Sequence, residues 1–261
     1  MDTGCDQLRA SIDADGIGTI VFDNPSKHNA MTGDMLAAFS RVCATFTADP
    51  SVRVVVVTGA GDKAFISGAD ITQLSSGALG EPGADDARQS AIGGLRAVTK
   101  PTIAMIHGWC LGGGVMVALD ADIRICSTDA VFGIPAARLG VGYPHSATAT
   151  LVALVGPGQA SEILYSARRL DAAEAERIGL VNRAVPHEHL EREVLDLARA
   201  IAANAPLSHR AHGVSIRAAV TGNETDLAAV DPAIAAAWAS DDFREGGRAF
   251  AERREPEFEG R

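Results

Sequence analysis

The segment Lys100–Ile123, KPTIAMIHGWCLGGGVMVALDADI, constrains the fold more tightly than any other stretch of the chain. Thr102–Ile106 is a β-rich apolar run that ends in a turn, and Gly112-Gly113-Gly114 then opens an apolar helix. Glycines at a helix start let a ligand atom come close to the free backbone N–H groups, where the helix dipole favours negative charge. The motif reads as a pocket for an oxyanion. The next helical turn carries Val115 and Met116, neither of which can transfer a proton.

A chain of 261 residues is long enough to bury a full core, as one large domain or a domain with an appendage. Hydrophobic residues make up 47% and charged residues 21%, and no apolar run has membrane-spanning length, so a soluble globular protein is expected. The formal net charge of −10 argues against a nucleic-acid partner, and the arginine pairs Arg168-Arg169 and Arg253-Arg254 are interleaved with acids. The start, MDTGCDQLRA, is acidic and lacks an apolar core, which is not the pattern of a signal or transit peptide. A cytoplasmic location follows as the expectation. Cys5, Cys43, Cys110 and Cys126 are scattered and have no histidine at ligand spacing, so neither a disulfide nor a metal site is expected. Cys110, beside the glycines, has no local base and reads as a packed thiol.

The first half alternates strands and helices. Leu8–Ile12 and Gly18–Phe22 read as a hairpin around Asp15-Gly16, and Thr32 caps a helix running to about Ala48. Met35, Leu36, Phe39, Val42, Cys43 and Phe46 form the apolar stripe of that helix. Val52–Val57, Thr102–Ile106 and Asp122–Cys126 read as buried strands. Ser75–Asp86 is a Gly-rich loop that acts either as a lid or acyl-pocket wall near a site or as plain surface. Helices are expected over Pro157–Ser166, from Asp171 to Gly179, and over His189–Ala203, Leu207–Val220 and Thr225–Trp238, with Asp241 capping a last one. This gives an α/β core over residues 1–200 and a helical subdomain over 201–261. The late helices are too thin to bury both faces alone, which points to a subunit interface.

Three common site motifs fail on context. Gly59-Ala60-Gly61-Asp62-Lys63-Ala64 mimics a dinucleotide turn, but extended residues follow it instead of a helix. The glycine triplet lacks the Lys-Ser/Thr of a P-loop, and no serine lies in a G-x-S-x-G elbow. Two backbone-donor sites remain, the Gly113 helix start and Ser67-Gly68-Ala69-Asp70. Taken alone, their glycines equally serve tight turns and close packing.

Six segments together carry a resemblance: KHNAM (27–31), DKAFISGADI (62–71), KPTIAMIHGWCLGGG (100–114), ALDADIRI (118–125), FGIPAARLGVGY (132–143) and DDFREGGRAFAERREPEF (241–258). In this order they resemble the crotonase superfamily, the enoyl-CoA hydratase/isomerase family, from about residue 8 onward. The resemblance implies a spiral of ββα turns with a helical C-terminal trimerisation subdomain. It also implies a homotrimer or dimer of trimers, and acyl-CoA thioesters as substrates, with coenzyme A carried by the substrate and no separate cofactor. An enolate-like thioester anion would be held by the N–H groups of Ala69 and Gly113. Lys27, His28 and Ala30 fall in the segment that meets the CoA nucleotide and pantetheine, and Ser67, Asp70 and Ile71 flank the same path. Arg253 and Arg254 fall near a basic position that meets the CoA phosphate, although Glu255 departs from the basic pattern there. Trp109, Met116, Ala136 and Leu139 would line the pocket.

The departures from the family pattern concern acid and base. Hydratases of this family use two glutamates, and the matching positions here are Met116 and Ala136. A thioether and a methyl group cannot relay protons, so hydration by a glutamate pair is not expected. Pro144 stands where dienoyl isomerases and the chlorobenzoyl dehalogenase place an aspartate. The segment LGVGY (139–143) is similar to that of methylmalonyl-CoA decarboxylase, in which a tyrosine at the place of Tyr143 orients the substrate carboxylate. That relative has histidine where this chain has Ala69, and Tyr143 reads equally as a pocket-lining phenol. His145 and Asp120 are weaker acid–base candidates, each also readable as structural. Asp122 and His107 read as structural. Arg138 pairs either with a substrate carboxylate or with a neighbouring acid.

Overall fold

The computed structural model describes residues 1–70, 72–73 and 94–261. Strands β1 (Leu8–Ile12) and β2 (Ile17–Phe22) form the expected antiparallel hairpin. Helix α1 (Gly33–Ala48) follows, with the Thr32 hydroxyl accepting from the Met35 N–H at 3.3 Å. All six residues of its predicted stripe are buried. Strands β3 (Val54–Gly59) and β4 (Ala64–Ile66) come next. After the undescribed stretch the chain gives β5 (Thr102–Ile106), β6 (Trp109–Leu111), α2 (Gly113–Asp120), β7 (Ile123–Ser127) and β8 (Val131–Gly133).

These strands sort into two sheets in a repeating way. The first strand of each turn enters a six-stranded sheet ordered β1-β2-β3-β5-β7-β10, with β10 at Arg183–Val185. The second strand enters a four-stranded sheet ordered β4-β6-β8-β9, with β9 at Arg169–Asp171. Pairing from β2 through β3, β5 and β7 to β10 is parallel, as is β4–β6–β8, so the chain advances by one strand per turn in each sheet. This is the spiral of ββα turns. β3 lies buried on both faces, which explains its unbroken valines. Val55 and Val57 join the core under α1, while Val54 and Val56 meet Leu190, Val194 and Ala198 of helix α5 (His187–Ala202).

Several expectations shift. Strand β4 follows Gly59–Lys63, so no helix start faces that turn and the dinucleotide reading falls. The span α3 (His145–Ser166) consists of two helical pieces that meet at a kink at Gly156 (φ 77°, ψ 162°), so the helix expected from Pro157 is present and a further helical piece from His145 precedes it. Asp171 caps the short helix α4 (Ala172–Arg177) as expected, accepting from the Glu174 N–H at 2.8 Å. The last helix, α8 (Asp241–Glu252), is capped by the Ser240 hydroxyl and not by Asp241, which is its first residue. Asp122 is structural, as read: its carboxylate accepts from both the N–H and the hydroxyl of Thr102 at 2.8 Å. The loop Ser75–Asp86 lies outside the described residues.

Helices α6 (Pro206–Thr221) and α7 (Glu224–Ala239) pack along each other beyond the sheets. α7 buries none of its residues, and Ile216, Val220, Leu227 and Trp238 stay exposed. Residues 253–261 fold back on α8, where the Asp242 carboxylate accepts from the N–H groups of Glu259 and Gly260 at 2.8 and 2.9 Å. The Arg53 guanidinium ties this segment to the core by donating to the Phe258 carbonyl at 3.0 Å.

The contact that sets α2 on the sheets is one of backbone against backbone. A methyl group on Gly114 would lie 2.1 Å from the Ile66 carbonyl oxygen of β4. Gly114→Ala is therefore expected to lower the urea midpoint by the equivalent of about 1–3 kcal/mol, the usual cost of overpacking. An unchanged midpoint would show that α2 can move away freely.

Candidate active site

The site forms where the start of α2 meets the end of β4. Gly68 has φ 117° and Gly112 has φ 51° with ψ −110°, conformations that L side chains rarely adopt. These two turns place Ala69 and Gly113 side by side, so that a methyl built on Gly113 would lie 3.6 Å from the Ala69 nitrogen. Among the described residues neither the Ala69 N–H nor the Gly113 N–H donates a hydrogen bond. Gly113 is the first residue of α2, where helix geometry leaves the N–H without an intrahelical partner.

Met31 fixes both halves, a part the sequence gave no sign of beyond its place in KHNAM. Its N–H donates to the Gly68 carbonyl at 2.8 Å and its carbonyl accepts from the Asp70 N–H at 2.9 Å, bracketing Ala69. Its fully buried thioether reaches to Gly113, where an added methyl would lie 2.5 Å from the Met31 Cε.

The segments holding Lys27, His28, Ala30, Ser67 and Asp70 come together. Lys27 Nζ lies 2.7 Å from Asp70 Oδ2, and hydrogen bonds from Lys27 and Thr72 hold the Asp70 carboxyl well below the usual range. The Ser67 N–H donates to the His28 carbonyl at 3.1 Å, and the Ser67 hydroxyl to that of Lys27 at 3.3 Å. Ile71 lies outside the described residues. His28 and Asn29 are consecutive residues at φ 51° and 57°, a strained pair. What holds them is the fully buried Asn29, which is also missing from the sequence candidates. Its amide donates to the carbonyls of Ala60 and Ala64 at 3.0 and 2.7 Å, and its oxygen accepts from the Asn24 N–H at 3.0 Å.

Arg253 and Arg254 stand apart. The Arg254 guanidinium is held by Glu245 and Glu252, and this pairing lowers the Glu245 carboxyl to about 2. Neither arginine hydrogen-bonds or ion-pairs with residues 27–31 or 67–70.

The residues expected to line the pocket are apolar. Met116 and Ala136 are half-buried and pack on the core, as do Ala69 and Tyr143. Pro135, just before Ala136, would lie 3.8 Å from a methyl on Gly112. The Tyr143 hydroxyl donates to the Gly112 carbonyl at 3.0 Å. Burial, with Cys110 and Asp120 nearby, pushes this phenol well above its usual value, so it stays protonated. Leu139 is 50% exposed, and the Trp109 ring is covered by Arg169, whose guanidinium carbon lies 4.6 Å from the ring centre.

The other titratable candidates have structural partners or none. Asp120 pairs with Arg96 at 2.8 Å, and Arg96 also donates to Thr150. Burial raises the Asp120 carboxyl despite that cation. His145 is exposed at the start of α3. His107 is buried, and desolvation holds it below the ordinary imidazole value. Cys110 is fully buried with its thiol raised well above normal, which fits the inert reading. No three His, Cys, Asp or Glu side chains among the described residues are arranged to hold a metal ion.

Asn29→Ala would leave the Asn24 N–H and the Ala60 and Ala64 carbonyls without their partner and keep a β-carbon at positive φ. It is expected to cost about 1–3 kcal/mol in urea unfolding. A loss within error would show that the 27–31 loop does not depend on Asn29.

A family profile for Enoyl-CoA hydratase/isomerase matches residues 13–261. The chain is 36% identical over 255 residues to crotonyl-CoA hydratase of Syntrophomonas wolfei, covering 93% of this chain and 94% of that one. It is also 36% identical over 250 residues to carnitinyl-CoA dehydratase of Proteus mirabilis, with coverage of 93% and 94%. The crystal structure of an enoyl-CoA hydratase/isomerase family protein from Hyphomonas neptunium superposes with a TM-score of 0.90 at 34% identity, covering 98% of both chains. With its spiral fold and nearly its whole length matched, the chain belongs to the enoyl-CoA hydratase/isomerase family, within the crotonase superfamily.

Proposed function

We propose that this acyl-CoA enzyme stabilises a thioester enolate on the N–H groups of Ala69 and Gly113. The observation that carries the reading is the pair of neighbouring backbone donors left without an acceptor among the described residues. Charge grows on the thioester oxygen only as the enolate forms. Fixed donors there favour the transition state over the bound substrate, by about 3–4 kcal/mol each on the scale of other oxyanion sites. Coenzyme A enters as part of the substrate, along Lys27–Ala30 and Ser67–Asp70, in the cytoplasm.

The apolar surroundings decide what chemistry suits the site. Met116 and Ala136 offer no carboxylate to deliver water, so a glutamate pair does not operate here. Decarboxylation needs no general base. The bond from the α-carbon to the carboxylate breaks, its electron pair passes into the enolate, carbon dioxide leaves, and a proton from water completes the product. A decarboxylase-like reaction, or an atypical lyase or isomerase reaction through the same enolate, is the favoured reading. The hydratase and dehydratase names of the relatives support a second reading, water addition or removal without the glutamate pair. A third, a non-catalytic acyl-CoA-binding subunit, is suggested by the same apolar walls.

Incubation with a panel of acyl-CoA thioesters in deuterated water separates the three. The favoured reading expects carbon dioxide release from a 2-carboxyacyl-CoA, or deuterium entering the α-carbon, with little hydration of crotonyl-CoA. Crotonyl-CoA hydration near the ~10 s⁻¹ typical of enzymes would overturn it. Binding without turnover or exchange would select the binding subunit.

The helical segment from residue 201 onward supplies the subunit contact in this reading, through Ile216, Val220, Leu227 and Trp238. Sedimentation is expected to give three or six times the 27.0 kDa chain mass. A stable monomer would refute the assembly.

A further inference from the structure

We propose that Tyr143 is a positioning residue that orients and polarises the Gly113 donor through the Gly112–Gly113 peptide, an inference that rests on the oxyanion reading above. The Gly112 carbonyl and the Gly113 N–H are two ends of one planar peptide group. No peptide bond among the described residues is cis, this one included, so these ends point in opposite directions. Fixing the oxygen therefore fixes the N–H. A carbonyl can only accept, so the Tyr143 hydroxyl must donate its single proton in the 3.0 Å contact. The phenol thus stands behind the donor, on the side away from the bound anion, and that proton is not free for a substrate carboxylate.

This peptide has particular need of such a hold. Glycine lies on both sides of it, so no β-carbon restricts its rotation. The helical bond to the same carbonyl, from the Met116 N–H, is long at 3.3 Å. Gly112 is anchored on its other side by its own N–H, which donates to the Gly133 carbonyl at 2.8 Å. The tyrosine contact completes the frame. A proton given to the carbonyl also draws electron density from the nitrogen, which strengthens the N–H as a donor.

The test reads the bound thioester directly. Infrared difference spectra of acyl-CoA labelled with carbon-13 at the thioester carbonyl are expected to show a lowered stretching frequency on the wild-type protein. Tyr143→Phe should reduce that shift. For a turned-over substrate it should lower kcat by about two- to tenfold with KM little changed. Replacing tyrosine biosynthetically with fluorinated tyrosines tests the same contact without removing it. The chain has two tyrosines, and the other, Tyr165, is 81% exposed and can be changed to phenylalanine first. A more acidic phenol that stays protonated at the assay pH should lower the carbonyl frequency further, in order of acidity. This series decides the matter if Tyr143→Phe fails to fold.

A wild-type shift that is unaltered in Tyr143→Phe, or across the fluorinated series, would overturn the role of Tyr143 and leave the oxyanion reading standing. No shift in the wild type would overturn the oxyanion reading, and this inference with it.

Discussion

The site depends on backbone meeting backbone where α2 begins. Gly114 lies so close to the Ile66 carbonyl that no side chain fits between them, and this brings the helix start up to the end of β4. Helices normally pack through side chains at 8–10 Å, and at that separation Gly113 and Ala69 could not be neighbours. The close approach turns two separate chain turns into one pair of donors. It also explains why α2 is apolar, since a helix packed this tightly between sheet and core has little polar surface to offer.

Around that contact the molecule spends its polar groups on holding backbone. Asn29 secures two residues in left-handed conformations, Asp70 pairs with Lys27, and Asp122 clasps Thr102. Each of these groups is engaged by partners within the chain itself. Their common effect is to keep unusual backbone geometry rigid, which is what a site built from N–H groups requires. Preorganised dipoles stabilise developing charge because they need not move when it appears. Met31 completes the arrangement, its backbone bracketing Ala69 and its thioether reaching Gly113.

Much of this was legible in the chain. Periodicity located α1 and its stripe, the hairpin, and most of the later helices, because local spacing and capping decide those elements. The glycine triplet and Ser67–Asp70 pointed to the two donor segments, since unusual turns leave glycines behind. The kink in α3 was legible too, because Gly-Pro-Gly reads locally as a stop and the backbone leaves helical geometry at Gly156. The cap of α8 was misplaced by one residue, because Ser240 and Asp241 are adjacent and both are good caps.

Residue type and order alone determined the family, the spiral class of fold, and the absence of carboxylates at Met116 and Ala136. Only the tertiary structure decided which polar atoms face one another. It gave Asn29 and Met31 their roles, paired Asp120 with Arg96, set Arg254 against Glu245, and turned the Tyr143 hydroxyl onto the Gly112 carbonyl. The physical reason is range. Hydrophobic periodicity and turn chemistry act between near neighbours in the chain. A hydrogen bond from residue 143 to residue 112 forms only after the sheets and α2 have fixed where both ends lie.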